Sequence, residues 1–188
     1  MLSDWFPVRS KLASNASVMC NYRSNKMKVY FSHGKESGPW GSKIKRLAAI
    51  AKKYGYSVDS IDYSDISDPD QRVEHLKNIL RREDDDFLLV GSSMGGYVSL
   101  VVTEYVNTKG VFLLAPALFM PEYKKQNYNN KVYIEVVHGW EDDVIPTENS
   151  IRFAKGANCT LHLISGDHRL NSSIETVEKL FLQFLSNT

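Results

Sequence analysis

Cysteine is scarce in this sequence, and its scarcity excludes several classes of protein. The 188 residues include only two cysteines, Cys20 and Cys159, which are too few for the disulfide framework of a small secreted protein. Two cysteines also form no metal-ligand spacing pattern, and no motif indicates an organic cofactor, so we predict neither metal nor cofactor. So few cysteines are consistent with a reducing compartment, and we expect a cytoplasmic protein.

Surplus charge and long apolar runs are missing as well. The formal net charge is +1 at pH 7, so the composition gives no indication of nucleic-acid binding. No apolar run approaches the roughly 20 residues that a membrane-spanning helix requires. Hydrophobic residues make up 43% of the chain and charged residues 24%, which is typical of a soluble, single-domain globular protein. We expect no nucleic-acid partner and no membrane span, and the sequence predicts no oligomeric state.

Acidic residues are almost absent from the first 26 residues. That stretch carries four basic residues and five serines against the single acid Asp4. An arginine- and serine-rich, acid-poor leader is typical of an organelle transit peptide, whereas a flexible extension is the simpler interpretation. We therefore predict an N-terminal extension over residues 1–26 and one domain over residues 27–188, with organelle targeting as the alternative to a cytoplasmic location.

From Lys28 onward, short apolar runs alternate with segments in which apolar residues recur at helical spacing. The apolar runs predict six strands, over residues 28–33, 56–61, 87–90, 110–115, 131–137 and 159–164. The amphipathic segments predict five helices, over residues 41–54, 68–83, 94–105, 147–156 and 172–184.

Local signals mark several helix ends. Asp68 followed by Pro69 is typical of an N-cap and a first helical residue. Gly156 predicts the end of the fourth helix. Ser172 with Glu175 has the pattern of a capping box, which predicts the start of the fifth helix.

The alternation of strands and helices predicts the fold class. Several strands are apolar throughout, as in the run from Phe87 to Val90, and this favours a parallel sheet covered by helices on both faces. Right-handed crossovers then produce a doubly wound α/β domain. Ligands bind such sheets at the carboxyl ends of the strands, so the residues that follow each strand are the candidate functional residues.

Three of the loops that follow strands contain side chains suited to nucleophilic catalysis. Residues 91–95 form a G-x-S-x-G motif between a predicted strand and a predicted helix, which is the context that this motif requires. Ser93 would lie on a tight turn at a helix N-terminus, where backbone N–H groups favour developing negative charge. Two later loops supply an acid, Asp142, and a histidine, His168.

Other residues compete for these assignments. Asp143 adjoins Asp142 and is an alternative acid, although the spacing favours Asp142. His162 is an alternative histidine, but it lies inside a predicted strand. The glycine-rich turn fits neither G-x-G-x-x-G nor G-x-x-x-x-G-K-[ST], which disfavours a nucleotide site. We expect His33 and His138, which precede glycines at strand ends, to be structural and to hydrogen-bond loop backbone.

The sequence from Lys28 to the C-terminus resembles the α/β-hydrolase superfamily. The resemblance rests on His33-Gly34 after the first strand, the elbow at Ser93, the loop HGWEDDVIP after the fifth strand, the segment GDH after the sixth, and the order Ser-Asp-His. The chain is most similar to the small, lid-less esterases and thioesterases of that superfamily. The resemblance implies a minimal version of the fold, with a mostly parallel six-stranded sheet in the order 2-1-3-4-5-6 and helices on both faces.

The resemblance also implies a role for each residue. Ser93 would attack an acyl carbonyl, His168 would accept and return a proton, and Asp142 would orient the imidazole. The backbone N–H groups of Met94 and Lys35 would form an oxyanion hole. The expected function is a serine hydrolase that cleaves small carboxylic esters or thioesters through an acyl-enzyme intermediate. The alternative is a non-catalytic ligand-binding protein with the same fold.

A short loop would flank the acyl group of such a substrate. The segment from Ala115 to Asn130 spans sixteen residues, which are too few for a lid domain, so we expect an open site and a small ester or thioester as the substrate. The apolar candidates for the substrate wall, for each of which core packing is the competing explanation, are Trp40, Tyr97, Leu118 and Phe119.

Overall fold

The computed structural model describes residues 27–188, and the N-terminal extension predicted for residues 1–26 lies outside the described residues. Within residues 27–188 there are six strands, β1 (Lys28–Ser32), β2 (Ser57–Ile61), β3 (Phe87–Ser92), β4 (Gly110–Leu114), β5 (Tyr133–Gly139) and β6 (Thr160–Ile164). The same residues form five helices, α1 (Ser42–Lys53), α2 (Pro69–Leu80), α3 (Met94–Val102), α4 (Thr147–Ala157) and α5 (Ile174–Asn187).

The six strands form one sheet in the order β2-β1-β3-β4-β5-β6. All five neighbouring pairs are parallel, which confirms the predicted fold class and strand order. The chain leaves β1 toward β2 at one edge and then crosses back to β3 on the other side of β1. The loops after β1 and β3 therefore diverge, and this reversal is the place where doubly wound sheets bind ligands.

Each face of the sheet has its own apolar core, because successive strand residues point to opposite faces. Leu89 and Leu113 face one cluster, which also contains buried residues of α2, α3 and α4. Leu88 and Phe112 face a second cluster, which contains buried residues of α1 and α5. Helices therefore cover both faces, as the apolar character of the strands predicts.

The described helices are short. The longest, α5, has 14 residues. Across residues 27–188, none of the helices combines the length and the apolarity that crossing a lipid bilayer demands.

Two helix boundaries differ from the local sequence signals. Helix α4 continues through Gly156 to Ala157, and its C-cap is Asn158, whose φ of 51° places it in the left-handed conformation. Asparagine adopts this conformation more readily than most residues, so it replaces glycine as the terminator. The predicted capping box is also wrong, because Ser173 is the N-cap of α5 and makes no side-chain cap bond. The Ser173 hydroxyl instead donates to the backbone oxygen of Ser165.

The end of β1 packs directly against the first turn of α3. A Cβ atom added at Gly95 would overlap the backbone carbonyls of Ser32 and His33, and one added at Gly91 would overlap the carbonyl of Gly95. Backbone carbonyls cannot move aside as the end of a flexible side chain can, so glycine is required at both positions. This close approach brings the loop after β1 to the turn after β3.

The contact at Gly95 predicts a large loss of stability on substitution. Gly95→Ala should lower the free energy of unfolding by about 1–3 kcal/mol or more, because the added methyl group overlaps backbone atoms. Urea denaturation followed by circular dichroism measures this change. A Gly95→Ala protein as stable as the wild type would contradict the packing.

A second helical glycine provides the matched control for this substitution. Gly156 lies inside α4, and an added Cβ atom there would have no neighbour within 4 Å. Gly156→Ala should therefore raise the free energy of unfolding by up to about 1 kcal/mol, since alanine is the better helix former.

Candidate active site

Ser93 occupies a strained turn between β3 and α3. Its φ and ψ are 55° and −121°, values that are costly for any residue with a side chain. The backbone is fixed by two hydrogen bonds, one to the last residue of β4 and one to the loop after it: the Ser93 amide donates to the Leu114 carbonyl at 2.9 Å, and the Ser93 carbonyl accepts from the Ala117 amide at 3.0 Å. The turn therefore has the geometry of the nucleophile elbow that the G-x-S-x-G motif predicts.

Ser93, His168 and Asp142 form one hydrogen-bonded chain. The His168 Nε2 atom lies 3.0 Å from the Ser93 Oγ atom, and the His168 Nδ1 atom lies 2.8 Å from an Asp142 carboxylate oxygen. The three side chains come from the loops after β3, β6 and β5. Both distances are those of good hydrogen bonds, so a proton can pass from the serine to the imidazole without rearrangement.

The loop that carries His168 is tied to two neighbouring segments. The Glu141 carboxylate accepts a hydrogen bond from the Gly166 amide, and the Lys43 ammonium group donates to the Arg169 carbonyl at 3.0 Å. The imidazole is therefore positioned by bonds on both sides of it in the chain.

The Asp142 carboxylate is ionised although it is buried. Its side chain is 0% exposed, and burial alone would raise its pKa. Hydrogen bonds from the Ile145 amide at 2.8 Å, from His168 and from the Val144 amide at 2.9 Å outweigh burial, so the pKa of Asp142 lies below its ordinary value. The alternative acid Asp143 is exposed, and the hydrogen bond of His168 goes to Asp142.

A second histidine contacts the same carboxylate. His138 is fully buried, and its Nε2 atom lies 2.9 Å from the Asp142 oxygen that also contacts His168. Its Nδ1 atom lies 2.7 Å from the Ser150 hydroxyl. Burial lowers the pKa of His138 although Asp142 opposes this effect, so the neutral ring donates from Nε2 to the carboxylate and accepts from Ser150. The expected bond to loop backbone exists as well, with the Ile145 carbonyl at 3.2 Å.

One predicted oxyanion donor adjoins Ser93 in the chain, and the residue before the other lies close to Ser93 in space. Met94 follows it in the chain, and Gly34, which precedes Lys35, lies close enough that an added Cβ atom would be 3.4 Å from the Ser93 Cβ atom. Among the backbone hydrogen bonds of turns, loops and helix caps in residues 27–188, none is donated by the Met94 amide or by the Lys35 amide. Both N–H groups remain predictions as oxyanion donors.

His33 braces the loop that contains Lys35. Its Nε2 atom accepts a hydrogen bond from the Tyr63 amide at 3.1 Å, so the proton is on Nδ1, which donates to the Gly34 carbonyl at 2.7 Å. Burial lowers the pKa of His33, and the Arg72 charge lowers it further, while the bond to Gly34 acts in the opposite direction. The neutral ring thus holds loop backbone, as its place before a glycine at a strand end predicts.

Arg72 is the residue of this region that no sequence motif identifies. It lies in α2, it is 2% exposed, and its guanidinium donates to the carbonyls of both His33 and Gly34 at 3.3 Å. The available signal is its spacing, because Arg72, Leu76 and Leu80 recur every four residues on one helical face. A charged residue in an apolar stripe is expected to have buried partners.

The four candidate wall residues differ widely in exposure. Trp40 is 40% exposed. Tyr97 and Leu118 are fully buried, and the Tyr97 hydroxyl donates to an Asp70 carboxylate oxygen at 2.7 Å. Phe119 is partly buried, with the Arg152 guanidinium 3.9 Å above its ring. Core packing accounts for Tyr97 and Leu118, and the assignment of all four to a substrate wall stays a prediction.

The remaining histidines lie outside this chain of hydrogen bonds. The His162 Nε2 atom lies 2.9 Å from a Glu135 carboxylate oxygen, and His75 is exposed on α2. Across the part of the chain that the structure describes, no three His, Cys, Asp or Glu side chains form a group that could hold a metal ion.

Solved structures with similar folds include several hydrolases. A provisional hydrolase of the alpha/beta superfamily from Xanthomonas campestris pv. campestris is 28% identical, with a TM-score of 0.81 over 86% of this chain and 99% of that one. A predicted CIB-like hydrolase from Thermoplasma acidophilum is 21% identical, with a TM-score of 0.73 over 88% and 89%. An alpha-beta serine hydrolase homologue from Coxiella burnetii is 20% identical, with a TM-score of 0.68 over 85% of each chain.

These similarities confirm the α/β-hydrolase relationship that the motifs indicate. A search of curated protein sequences finds no match. Residues 27–155 match the family described as Uncharacterised protein family (UPF0227), and this match spans more than half of the sequence. The chain therefore has an α/β-hydrolase fold and belongs to the uncharacterised protein family UPF0227.

Proposed function

We propose that this protein is a serine hydrolase that cleaves small carboxylic esters or thioesters. The observation that carries the proposal is the hydrogen-bonded chain from Ser93 through His168 to the buried Asp142 carboxylate. A hydroxyl is a weak nucleophile at neutral pH, and an adjacent neutral imidazole makes it reactive by accepting its proton.

In the first half of the proposed reaction, the Ser93 Oγ atom bonds to the acyl carbon while its proton moves to the His168 Nε2 atom. The carbonyl oxygen becomes an oxyanion, which the amides of Met94 and Lys35 would stabilise. When the carbonyl reforms, the bond to the leaving group breaks, and His168 gives its proton to the departing alcohol or thiol. The products are a Ser93 ester and the free leaving group.

In the second half, water takes the place of the leaving group. Its proton moves to the His168 Nε2 atom as its oxygen bonds to the acyl carbon, and the proton then returns to Ser93 as the acid departs. Asp142 remains ionised throughout, which its lowered pKa favours. Its role is to hold the imidazole in the correct tautomer and to stabilise the transient imidazolium.

Covalent labelling of the nucleophile separates an enzyme from a binding protein. A fluorophosphonate probe should label the wild type by displacement of fluoride at Ser93, and Ser93→Ala should abolish labelling because the oxygen nucleophile is lost. Ser92→Ala is the matched control, since it removes a neighbouring hydroxyl outside the hydrogen-bonded chain. An unlabelled wild type, or a labelled Ser93→Ala protein, would leave a non-catalytic ligand-binding protein as the better interpretation.

The two adjacent aspartates should differ sharply in their effect on turnover. Asp142→Asn should lower kcat by about 10³- to 10⁴-fold, because the amide favours the wrong imidazole tautomer and removes the buried charge. Asp143→Asn changes an exposed carboxylate and should leave kcat nearly unchanged. Hydrolysis of p-nitrophenyl acetate, with circular dichroism as a check of folding, measures both. A larger loss in Asp143→Asn would identify Asp143 as the acid.

The acyl group can be identified with a graded set of substrates. The segment between β4 and β5 is short and forms no further helix or strand, so we expect kcat/KM to be highest for short acyl chains. The measurement compares p-nitrophenyl esters and the corresponding acyl thioesters of increasing chain length. A rise in kcat/KM up to long chains would contradict a substrate class of small acyl groups.

A further inference from the structure

Arg72 is a buried cation whose described hydrogen bonds all go to carbonyl oxygens, and its guanidinium also lies 5.2 Å from the centre of the Tyr63 ring. Its guanidinium donates to the carbonyl of Ile66 at 2.6 Å, to that of Tyr63 at 3.2 Å, and to those of His33 and Gly34 at 3.3 Å. Removing a guanidinium from water is costly unless its donors are satisfied, and these carbonyls carry only partial negative charges. The positive charge is therefore incompletely neutralised where it lies.

The charge lies behind the loop that contains the predicted oxyanion donor Lys35. A single guanidinium nitrogen, Nη1, contacts the consecutive carbonyls of His33 and Gly34. The Gly34 carbonyl also accepts the bond from the His33 ring at 2.7 Å. Two donors thus fix the direction of this carbonyl, while the other side of Gly34 faces Ser93.

Fixing the Gly34 carbonyl also fixes the Lys35 amide. The peptide bond between the two residues is trans, since the described residues contain no cis peptide bonds. In a planar trans peptide, the C=O and N–H bonds point in opposite directions. When the carbonyl points toward Arg72, the Lys35 N–H must point away from it.

The same contact strengthens the amide as a donor. A cation that binds the Gly34 oxygen polarises the whole peptide group, because hydrogen bonds in a chain reinforce one another. The Lys35 N–H then carries more positive charge, and this matters most in a site of low dielectric constant. The full charge of Arg72 adds a longer-range attraction for any anion on the far side of the loop.

We propose that Arg72 is a positioning residue for the oxyanion hole, which it serves by orienting and polarising the Gly34–Lys35 peptide. The inference rests on the proposed function, because it requires an oxyanion to form at Ser93. Arg72 touches neither substrate nor reacting atoms in this role. It acts through the peptide group, so its effect should be stronger on the transition state than on the bound substrate.

Two substitutions of Arg72 test this role. Arg72→Gln removes the charge, and Arg72→Lys keeps the charge but lacks the planar fork that reaches several carbonyls. We expect kcat for p-nitrophenyl acetate to fall by about 10- to 100-fold in Arg72→Gln, with KM little changed, since removal of one direct oxyanion donor costs about 10²- to 10³-fold. Arg72→Lys should fall between Arg72→Gln and the wild type.

A boronic acid supplies a readout that loss of stability alone would not change. Phenylboronic acid adds reversibly to a reactive serine and forms a tetrahedral anion that resembles the transition state. Its inhibition constant should rise in parallel with the fall in kcat. Arg46→Gln is the matched control, since Arg46 is 48% exposed on α1 and pairs with Glu178, and we expect it to change neither value.

The outcomes distinguish this inference from the proposed function. A folded Arg72→Gln protein with wild-type kcat and boronate affinity would overturn the role of Arg72 alone, as would a rise in KM without a loss of kcat. If Arg72→Gln does not fold, Arg72→Lys decides in the same way: wild-type kcat and boronate affinity overturn the inference, and parallel losses support it. A wild-type protein that neither hydrolyses esters nor reacts with the fluorophosphonate would overturn both proposals.

Discussion

The candidate site depends on the hydrogen bonds of the buried Asp142 carboxylate. One of its oxygens accepts two backbone amides from the start of the segment that leads into α4, and the other contacts both His138 and His168. These four bonds compensate the charge for its lost hydration. They also join the loops after β5 and β6, so the position of the imidazole beside Ser93 depends on this one anion.

The opposite side of the site depends on close backbone packing. Gly95 allows the first turn of α3 to touch the carbonyls at the end of β1, and this contact brings the His33-Gly34 segment beside Ser93. Arg72 and Tyr63 then hold that segment from the region that follows β2. The hydrogen bonds that compensate the Asp142 charge thus hold one half of the site together. The lack of a side chain at Gly95 allows the other half to form.

The sequence contains most of the information for the fold and only part of that for the site. Uninterrupted apolar runs identify buried parallel strands, and G-x-S-x-G identifies the elbow, because both patterns arise from local geometry. The end of α4 differs from prediction because Asn158, two positions after Gly156, supplies the left-handed residue. The N-cap of α5 differs because it is Ser173, whose hydroxyl bonds to the Ser165 carbonyl instead of capping the helix. The spacing of Arg72 on α2 indicates only that it is buried. Its contacts with the carbonyls of His33 and Gly34 escape prediction, because those residues are far away in the sequence and no local pattern encodes the contact.

The backbone bonds that anchor Ser93 to the end of β4 and to the loop after it have an energetic consequence. They make the elbow a continuation of the sheet, so the strained, positive-φ conformation of Ser93 is imposed once, when the chain folds, by the combined free energy of the central strands. The alignment of Ser93 with His168 is then present before any ligand arrives. A reaction at this site would therefore need little reorganisation of the protein, and the energy of binding would remain available for activating the substrate.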